Sequence, residues 1–178
     1  YKTVAVQYAK EVAEGQKLAG AEMVLACKRF LSDLERKDLE LHTKEPDFVI
    51  GIIEKTMVHK QGEDMDSTPL LGKPFRLTPW QVFVIYNLIG FYYKGTNERR
   101  YKEAFIFLPR KNGKTSFVAA LAWGLSLLER KSGSQLYIVA ASQKQACQSF
   151  DFITNSLRAN EMLEDFRVLN NNAEHSIA

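Results

Sequence analysis

The sequence has few of the residues that build disulfides, metal centres or membrane spans. Its 178 residues include two cysteines, Cys27 and Cys147, and no C-x-x-C pair, which predicts reduced core thiols in a cytosolic protein. The three histidines share no metal-ligand spacing with the cysteines or with one another, so we expect no zinc site. No apolar run approaches the length of a membrane span, and the polar start at Tyr1 predicts no signal peptide.

The sequence also lacks a large excess of charge of one sign. The net charge is +3, a mild basic excess that is compatible with nucleic acid but equally with ordinary solvated faces. Hydrophobic residues make up 46% and charged residues 25% of the chain, close to the average of soluble proteins. These values predict a globular chain with one ordinary domain, or one core with a small helical appendage.

What the sequence does contain is a Gly-Lys-Thr triplet between two apolar segments. Residues 104–108 (AFIFL) are typical of a buried strand, and apolar residues recur at helical spacing from Phe117 to Leu128. The order strand, loop, helix is that of a P-loop, whose backbone N–H groups surround phosphates. In that arrangement the Lys114 ammonium reaches the β and γ oxygens, and the Thr115 hydroxyl ligates Mg²⁺.

The P-loop pattern is imperfect at its first position. The pattern G-x-x-x-x-G-K-[ST] has glycine where this chain has Leu108, so the loop must begin in an ordinary backbone conformation, with Pro109 fixing the next φ. A strand-to-helix turn with an exposed lysine is the alternative interpretation of the same residues.

Helical patterns dominate the first half of the chain. Residues 2–38 predict two helices divided near residues 15–20, and residues 47–59 predict a third, with a strand as the competing assignment because β-branched residues are frequent. Residues 61–73 are the clearest loop. A further helix should begin at Pro79, with Thr78 as N-cap and Gln81 completing a capping box.

The second half alternates between strand and helix patterns. Residues 131–134 predict a turn, residues 136–141 a second buried strand, and Ser142 the cap of another helix, with a third strand at residues 166–169. We therefore predict an α/β fold with a P-loop NTPase-type parallel sheet flanked by helices. We expect residues 1–73 to form a small helical amino-terminal segment and residues 74–178 the first part of an ATPase domain.

Three stretches together resemble the large terminase subunit of tailed bacteriophages: residues 77–81 (LTPWQ), 105–115 (FIFLPRKNGKT) and 140–146 (AASQKQA). Residues 26–34 also resemble the helical amino-terminal segment of that family. The family commonly lacks the first P-loop glycine, so Leu108 favours the resemblance. The resemblance implies an ATPase that moves double-stranded DNA into a capsid and a separate nuclease domain that cuts it. It also implies a portal, a small terminase subunit, a homo-oligomeric ring and the cytoplasm of a bacterial host, with no membrane.

The resemblance also assigns roles within the site, with ATP and Mg²⁺ as ligands. It implies that Lys114 and Thr115 bind phosphate and metal, and that Lys114 and Arg110 are catalytic, with Arg110 acting on the γ-phosphate. A solvent-facing cation is the alternative interpretation of Arg110. Gln81 resembles a glutamine that reads adenine, beside its capping role, and Trp80 is either an adenine-stacking or a core aromatic residue. The remaining expected nucleotide-binding residues are Pro109, Lys111, Asn112, Gly113 and Ser116.

Two features of a complete motor are not found in the sequence. No Asp-Glu pair ends a predicted strand to position Mg²⁺ and the attacking water, and no carboxylate cluster could hold the two metals of a nuclease. We expect an incomplete ATPase core that does not turn over ATP alone. Residues 142–145 could form a DNA- or phosphate-facing loop, or simply a capped helix start. The alternatives to a terminase are a helicase-like translocase fragment and a non-catalytic anion-binding module.

Overall fold

The computed structural model describes residues 1–63, 66–129, 135–171 and 174–178. These residues form a mixed α/β structure with six α-helices and two antiparallel sheets of two strands each. The helices are α1 Lys2–Ala13, α2 Ala21–Asp33, α3 Lys44–Thr56, α4 Pro79–Gly90, α5 Lys114–Leu128 and α6 Gln143–Ala159. The strands are β1 Leu39–Leu41, β2 Phe91–Tyr93, β3 Val168–Asn170 and β4 His175–Ile177.

The chain divides into two compact units. The first unit comprises Tyr1–Ile50 and Leu77–Phe107, and the second comprises Gly51–Arg76 and Leu108–Ala178. The chain passes from one unit to the other three times, after Ile50 inside α3, after Arg76 and after Phe107, so neither unit is one continuous stretch of sequence. The division of the protein near residue 73 stays a prediction.

In the first unit, the faces of α1, α2 and α4 are held together by aromatic side chains. The ring of Phe83 lies 5.5 Å from that of Tyr8 and 5.2 Å from that of Phe30, measured between centroids. Phe30 also meets Phe91 edge-on at 5.4 Å. These are the distances at which aromatic pairs add to the stabilisation from apolar burial.

A buried carboxylate organises a polar cluster in the same unit. Asp33, at the end of α2, is 3% exposed and accepts a hydrogen bond from the Tyr101 hydroxyl at 2.7 Å. Arg100 pairs with the same carboxylate at 2.9 Å, and the guanidinium of Arg29 lies over the Tyr101 ring. Burial, and then the hydrogen bond to Asp33, raise the pKa of Tyr101. Because buried charges are tolerated only when paired, the cluster explains how Asp33 can lie inside.

In the second unit, α5 and α6 pack together with the end of α3 through a hydrogen-bonded network. The buried indole of Trp123 donates to the Thr56 hydroxyl at 3.0 Å, and the Asn160 amide donates to the Thr56 carbonyl at 2.9 Å. Within α6, the Ser156 hydroxyl donates a hydrogen bond to the Phe152 carbonyl oxygen at 2.8 Å. These contacts fix the carboxyl-terminal half of α5, which in turn supports the loop before it.

The predicted helices are confirmed, with small shifts at their ends. Two helices divided near residues 15–20 are present, and α3 is a helix, so the competing strand assignment is wrong. It runs from Lys44 to Thr56, a few residues earlier than predicted, since Glu45 and Asp47 favour its positively polarised first turn. The capping box at Thr78 and Gln81 and the cap at Ser142 are also confirmed. The predicted turn at residues 131–134 lies outside the described residues.

The two predicted buried strands at residues 104–108 and 136–141 do not form strands in the structure. Phe105 and Phe107 are 92% and 81% exposed, and Tyr137 and Val139 are 76% and 88% exposed. Neither segment has a ladder partner among the described residues. The physical reason is that a strand exists only when its N–H and C=O groups pair with a neighbour, so an apolar sequence alone cannot make one.

The expected parallel sheet is therefore not seen in the described residues. The third predicted strand, at residues 166–169, corresponds to β3, but β3 pairs antiparallel with β4 through Val168–Ile177. The first sheet is also antiparallel, with Leu39 opposite Tyr93. Strands β1 and β2 were not predicted from the sequence, because three residues are too few to give a recognisable period-2 pattern.

The two cysteines lie in different environments. Cys27 is buried in the core of the first unit, where burial raises its thiol pKa to about 11, and Cys147 is half-buried. Both thiols are free.

None of the helices in the described part of the chain is long and apolar enough to cross a bilayer.

Candidate phosphate-binding loop

The backbone of the loop before α5 alternates in handedness. Lys111 and Gly113 both have φ of 68°, in the left-handed region, whereas Asn112 between them does not. Gly113 is the N-cap of α5 and adopts this conformation without steric penalty. Lys111 carries a Cβ, so its positive φ is uncommon and unfavourable. Turns of alternating handedness gather successive N–H groups into a concave anion-binding surface, as in known phosphate loops.

The start of α5 leaves several N–H donors without protein acceptors. The first backbone bond of the helix runs from Phe117 N to Gly113 O at 2.9 Å. Within the described residues, the N–H groups of Lys114, Thr115 and Ser116 make no hydrogen bond. Such donors, together with the positive end of the helix dipole, favour an anion at this position.

The side chains around these donors are cationic or hydroxylic. Arg110, Lys111 and Lys114 are exposed, and none of them makes an ion pair within the part of the chain that the structure describes. Thr115 is exposed and Ser116 is half-buried. Three cations within five residues create a positive potential that no neighbouring carboxylate cancels, so the loop is chemically suited to a polyphosphate.

The first turns of α5 pack into the core of the second unit, which holds the adjacent loop in position. Phe117 is fully buried one turn into the helix, and Ala120 and Leu121 continue the buried face. Trp123 further along is fixed to Thr56 by its hydrogen bond. A site whose first residues follow directly on a packed helix is held more precisely than one on a free loop.

Gln81 and Trp80 belong to the first unit, and residues 109–116 all belong to the second. Gln81 is buried, and its Oε1 accepts hydrogen bonds from the backbone N–H of Thr78 at 2.8 Å and from the Thr78 hydroxyl at 3.0 Å. Its amide nitrogen has no partner among the described residues. Trp80 is half-buried at the start of α4, and the adenine-binding roles of both residues stay predictions.

Residues 142–145 form the capped start of α6. The Ser142 hydroxyl accepts a hydrogen bond from Gln145 N at 3.4 Å, and the Gln143 amide lies 3.3 Å from the His175 ring. Lys144 is exposed. The cap accounts for Ser142 without a ligand, and contact with DNA or phosphate stays a prediction.

Carboxylates that could complete a metal site are not grouped in the structure. Across residues 1–63, 66–129, 135–171 and 174–178, no three histidine, cysteine, aspartate or glutamate side chains come together as metal ligands. The donors that fit Mg²⁺ with a nucleotide are therefore the Thr115 hydroxyl and the phosphates themselves. The hydroxyl is exposed and makes no hydrogen bond in the described residues, so the loop fits this role.

Two features of the loop were not anticipated from the sequence. One is the left-handed conformation of Lys111, and the other is a pair of contacts from the Asn112 side chain to preceding carbonyl groups. The Asn-Gly dipeptide at Asn112 and Gly113 is the sequence signal that could have indicated them, because this pair is typical of tight turns.

The loop thus combines unpartnered N–H groups with exposed cations at the start of a helix, an arrangement that favours an anion. The family model for the terminase large subunit, ATPase domain, matches residues 79–176, which is more than half of the chain. The chain belongs to this family, and the resemblance noted in the sequence is confirmed. No curated protein and no solved structure matched the chain significantly.

Proposed function

We propose that this chain is the ATP-binding part of a terminase large subunit that couples ATP hydrolysis to the movement of double-stranded DNA into a capsid. The observation that carries the proposal is the loop of alternating handedness with its unpartnered N–H groups, in a chain whose family is an ATPase domain. Cutting of the DNA is assigned to a nuclease domain outside these residues.

Each loop residue has a chemical part in this proposal. Lys114 binds the β and γ oxygens as a point charge, and the Thr115 hydroxyl ligates Mg²⁺, which neutralises phosphate charge. Arg110 stabilises charge at the γ-phosphate, for which a planar guanidinium is well suited. Backbone groups from Pro109 to Ser116 line the phosphates, while Gln81 and Trp80 contribute to adenine recognition.

Hydrolysis needs acidic groups beside the phosphates. A P-loop ATPase uses an aspartate that holds Mg²⁺ and an acid that orients the attacking water. Among the described residues, no three histidine, cysteine, aspartate or glutamate side chains come together as metal ligands, and no Asp-Glu pair ends a predicted strand in the sequence. We therefore propose that the chain binds ATP with Mg²⁺ but turns it over only when further residues of the ATPase domain complete the site.

The exposed apolar segments support a larger sheet in the complete domain. Residues 104–108 and 136–141 are β-prone and have no ladder partner among the described residues. Two such segments, one directly before the loop and one after α5, are where a P-loop ATPase carries its parallel strands. We propose that they are strands of that sheet when the domain is complete.

The partners and the location follow from the family alone. We propose that the complete protein works on double-stranded DNA with a portal and a small terminase subunit, as a homo-oligomeric ring in the cytoplasm of a bacterial host. A helicase-like translocase would share the P-loop, but the family match favours the packaging motor.

A fluorescent ATP analogue titrated with and without Mg²⁺ tests the proposal. Replacing the lysine, Lys114→Ala, should weaken binding about 10- to 100-fold, because charge-assisted phosphate contacts contribute about 1.5–3 kcal/mol. Thr115→Val should remove most of the Mg²⁺ dependence. Lys37→Ala, at an exposed lysine in the first unit, is the matched control and should bind like the parent chain.

Two results would contradict the proposal. Unchanged affinity in Lys114→Ala would show that the loop does not hold the phosphates. Equal affinity for inorganic phosphate and for the ATP analogue would instead identify a simple anion-binding module, because a nucleotide site gains affinity from the β and γ phosphates and the base.

A further inference from the structure

The Asn112 side chain contacts the loop in which it lies. Its amide nitrogen Nδ2 lies 3.2 Å from the Arg110 carbonyl oxygen and 3.4 Å from the Pro109 carbonyl oxygen. A carboxamide nitrogen has two N–H donors, and both carbonyl oxygens lie within hydrogen-bond distance of it. The group that remains is Oδ1, which is an acceptor.

An acceptor is unsuited to bind a phosphate oxygen. If both amide donors of Asn112 are engaged with the backbone, the side chain has none left for the ligand. Asn112 therefore fits poorly as a phosphate ligand, although it lies within the stretch that we expected to contact one. Its side chain acts on the backbone instead.

The neighbouring residue indicates what these contacts accomplish. Lys111 lies between the two bonded carbonyls and Asn112, and it has the unfavourable φ of 68°. A non-glycine residue keeps such a conformation only when surrounding contacts outweigh its local cost, and such residues are common at ligand sites. The bonds from Asn112 close the turn around Lys111 and so stabilise the left-handed conformation.

We propose that Asn112 is a positioning residue that preorganises the phosphate-binding backbone by holding Lys111 in its left-handed conformation. The loop has Leu108 where the common pattern has glycine, so its first turn lacks that source of backbone freedom. The contacts of the Asn112 side chain restrict the backbone near the carboxyl end of the same loop. This inference rests on the proposed nucleotide site, because preorganisation has an effect only where a ligand binds.

A double-mutant cycle at positions 111 and 112 tests the inference in the complete 178-residue chain. Affinities for Mg²⁺-ATPγS are measured for the parent chain, Asn112→Ala, Lys111→Gly and the double variant. Asn112→Ala should bind about fivefold more weakly, the effect of roughly one hydrogen bond. In the Lys111→Gly background the same change should cost less than about twofold, because glycine adopts positive φ without help.

Matched variants separate this effect from charge and stability. Asn112→Asp keeps the size of the side chain, removes both donors and should weaken binding more than Asn112→Ala. Asn97→Asp and Asn97→Ala, at an exposed asparagine in the first unit, should leave affinity unchanged. The thermal midpoints of Asn112→Ala and Asn112→Asp should lie close to that of the parent chain, since position 112 is exposed.

The possible outcomes are distinct. An equal loss in both backgrounds would overturn the inference, because Asn112 would then act on the ligand directly. No loss in either background would overturn it too, since the contacts would have no effect on binding. If Lys114→Ala binds as tightly as the parent chain, it is the proposed nucleotide site that fails, and the cycle is interpreted only when Lys114→Ala loses affinity.

Discussion

Glycine has opposite consequences at two helical positions. A Cβ added at Gly90, the last residue of α4, would lie 2.8 Å from Leu41 Cδ1 and 3.2 Å from the His42 carbonyl oxygen. A Cβ added at Gly51, inside α3, would meet nothing within 4 Å. Gly90 therefore permits the close approach of the chain around β1, whereas Gly51 only reduces the stability of its helix.

Alanine substitutions at these two glycines should change stability in opposite directions. Gly90→Ala should lower the free energy of unfolding by about 1–3 kcal/mol, because the neighbours must move. Gly51→Ala should raise it by about 0.5–1 kcal/mol through helix propensity. Urea denaturation of both variants measures the difference, and a shift of the same sign in both would contradict the packing described at Gly90.

Single residues also show how far the sequence allowed the site to be predicted. Lys114 and Thr115 were predicted because their types and spacing are those of a phosphate loop, and Arg110 was predicted from the resemblance to the terminase family. The conformation of Lys111 could not be predicted, since positive φ at a lysine depends on the contacts around it. The capping bond of Gln81 was predicted because a capping box is a local pattern.

At the scale of elements, helix α4 raises the question of whether Gln81 serves only its cap or also reads adenine. Its Oε1 is used by Thr78, while its amide nitrogen has no partner in the described residues. A glutamate at this position keeps the capping oxygen, as capping boxes accept either residue, but it has no amide to donate. Gln81→Glu therefore separates the two roles.

We expect Gln81→Glu to leave the thermal midpoint unchanged and to weaken the preference for ATPγS over GTPγS. Gln81→Ala should lower the stability of the protein by about 1 kcal/mol as well, through loss of the cap. Affinity for inorganic tripolyphosphate, which has no base, controls for the added charge and should fall little. An unaltered base preference in Gln81→Glu would limit Gln81 to the cap.

Helices were predicted better than strands for a physical reason. Each helix satisfies its backbone within itself and shows a 3.6-residue pattern, so α1, α2 and α4 could be located from the sequence. A strand needs a neighbour that the sequence does not specify, and residues 104–108 have none among the described residues. The short pair β1 and β2 arises from the packing around Phe91 instead.

On the scale of the whole molecule, the chain combines a packed helical first unit with a second unit that holds the loop. Each unit has a core that buries aromatic side chains, such as Phe83 in the first and Trp123 in the second. Exposed apolar side chains, among them Leu18, Phe105, Phe107 and Val139, depart from that pattern. Where such side chains form a contiguous patch, they usually mark a surface that something else covers.

The most direct measurement is the response of individual backbone amides to a nucleotide. Two-dimensional ¹H–¹⁵N NMR of the 178-residue chain can follow the signals of Gly113, Lys114, Thr115 and Ser116 while Mg²⁺-ATPγS is added. If residues 109–116 hold the phosphates, these amides should show the largest shifts, and tripolyphosphate should shift the same set. Saturable binding that leaves these four amides unshifted while others move would contradict a phosphate site at the start of α5.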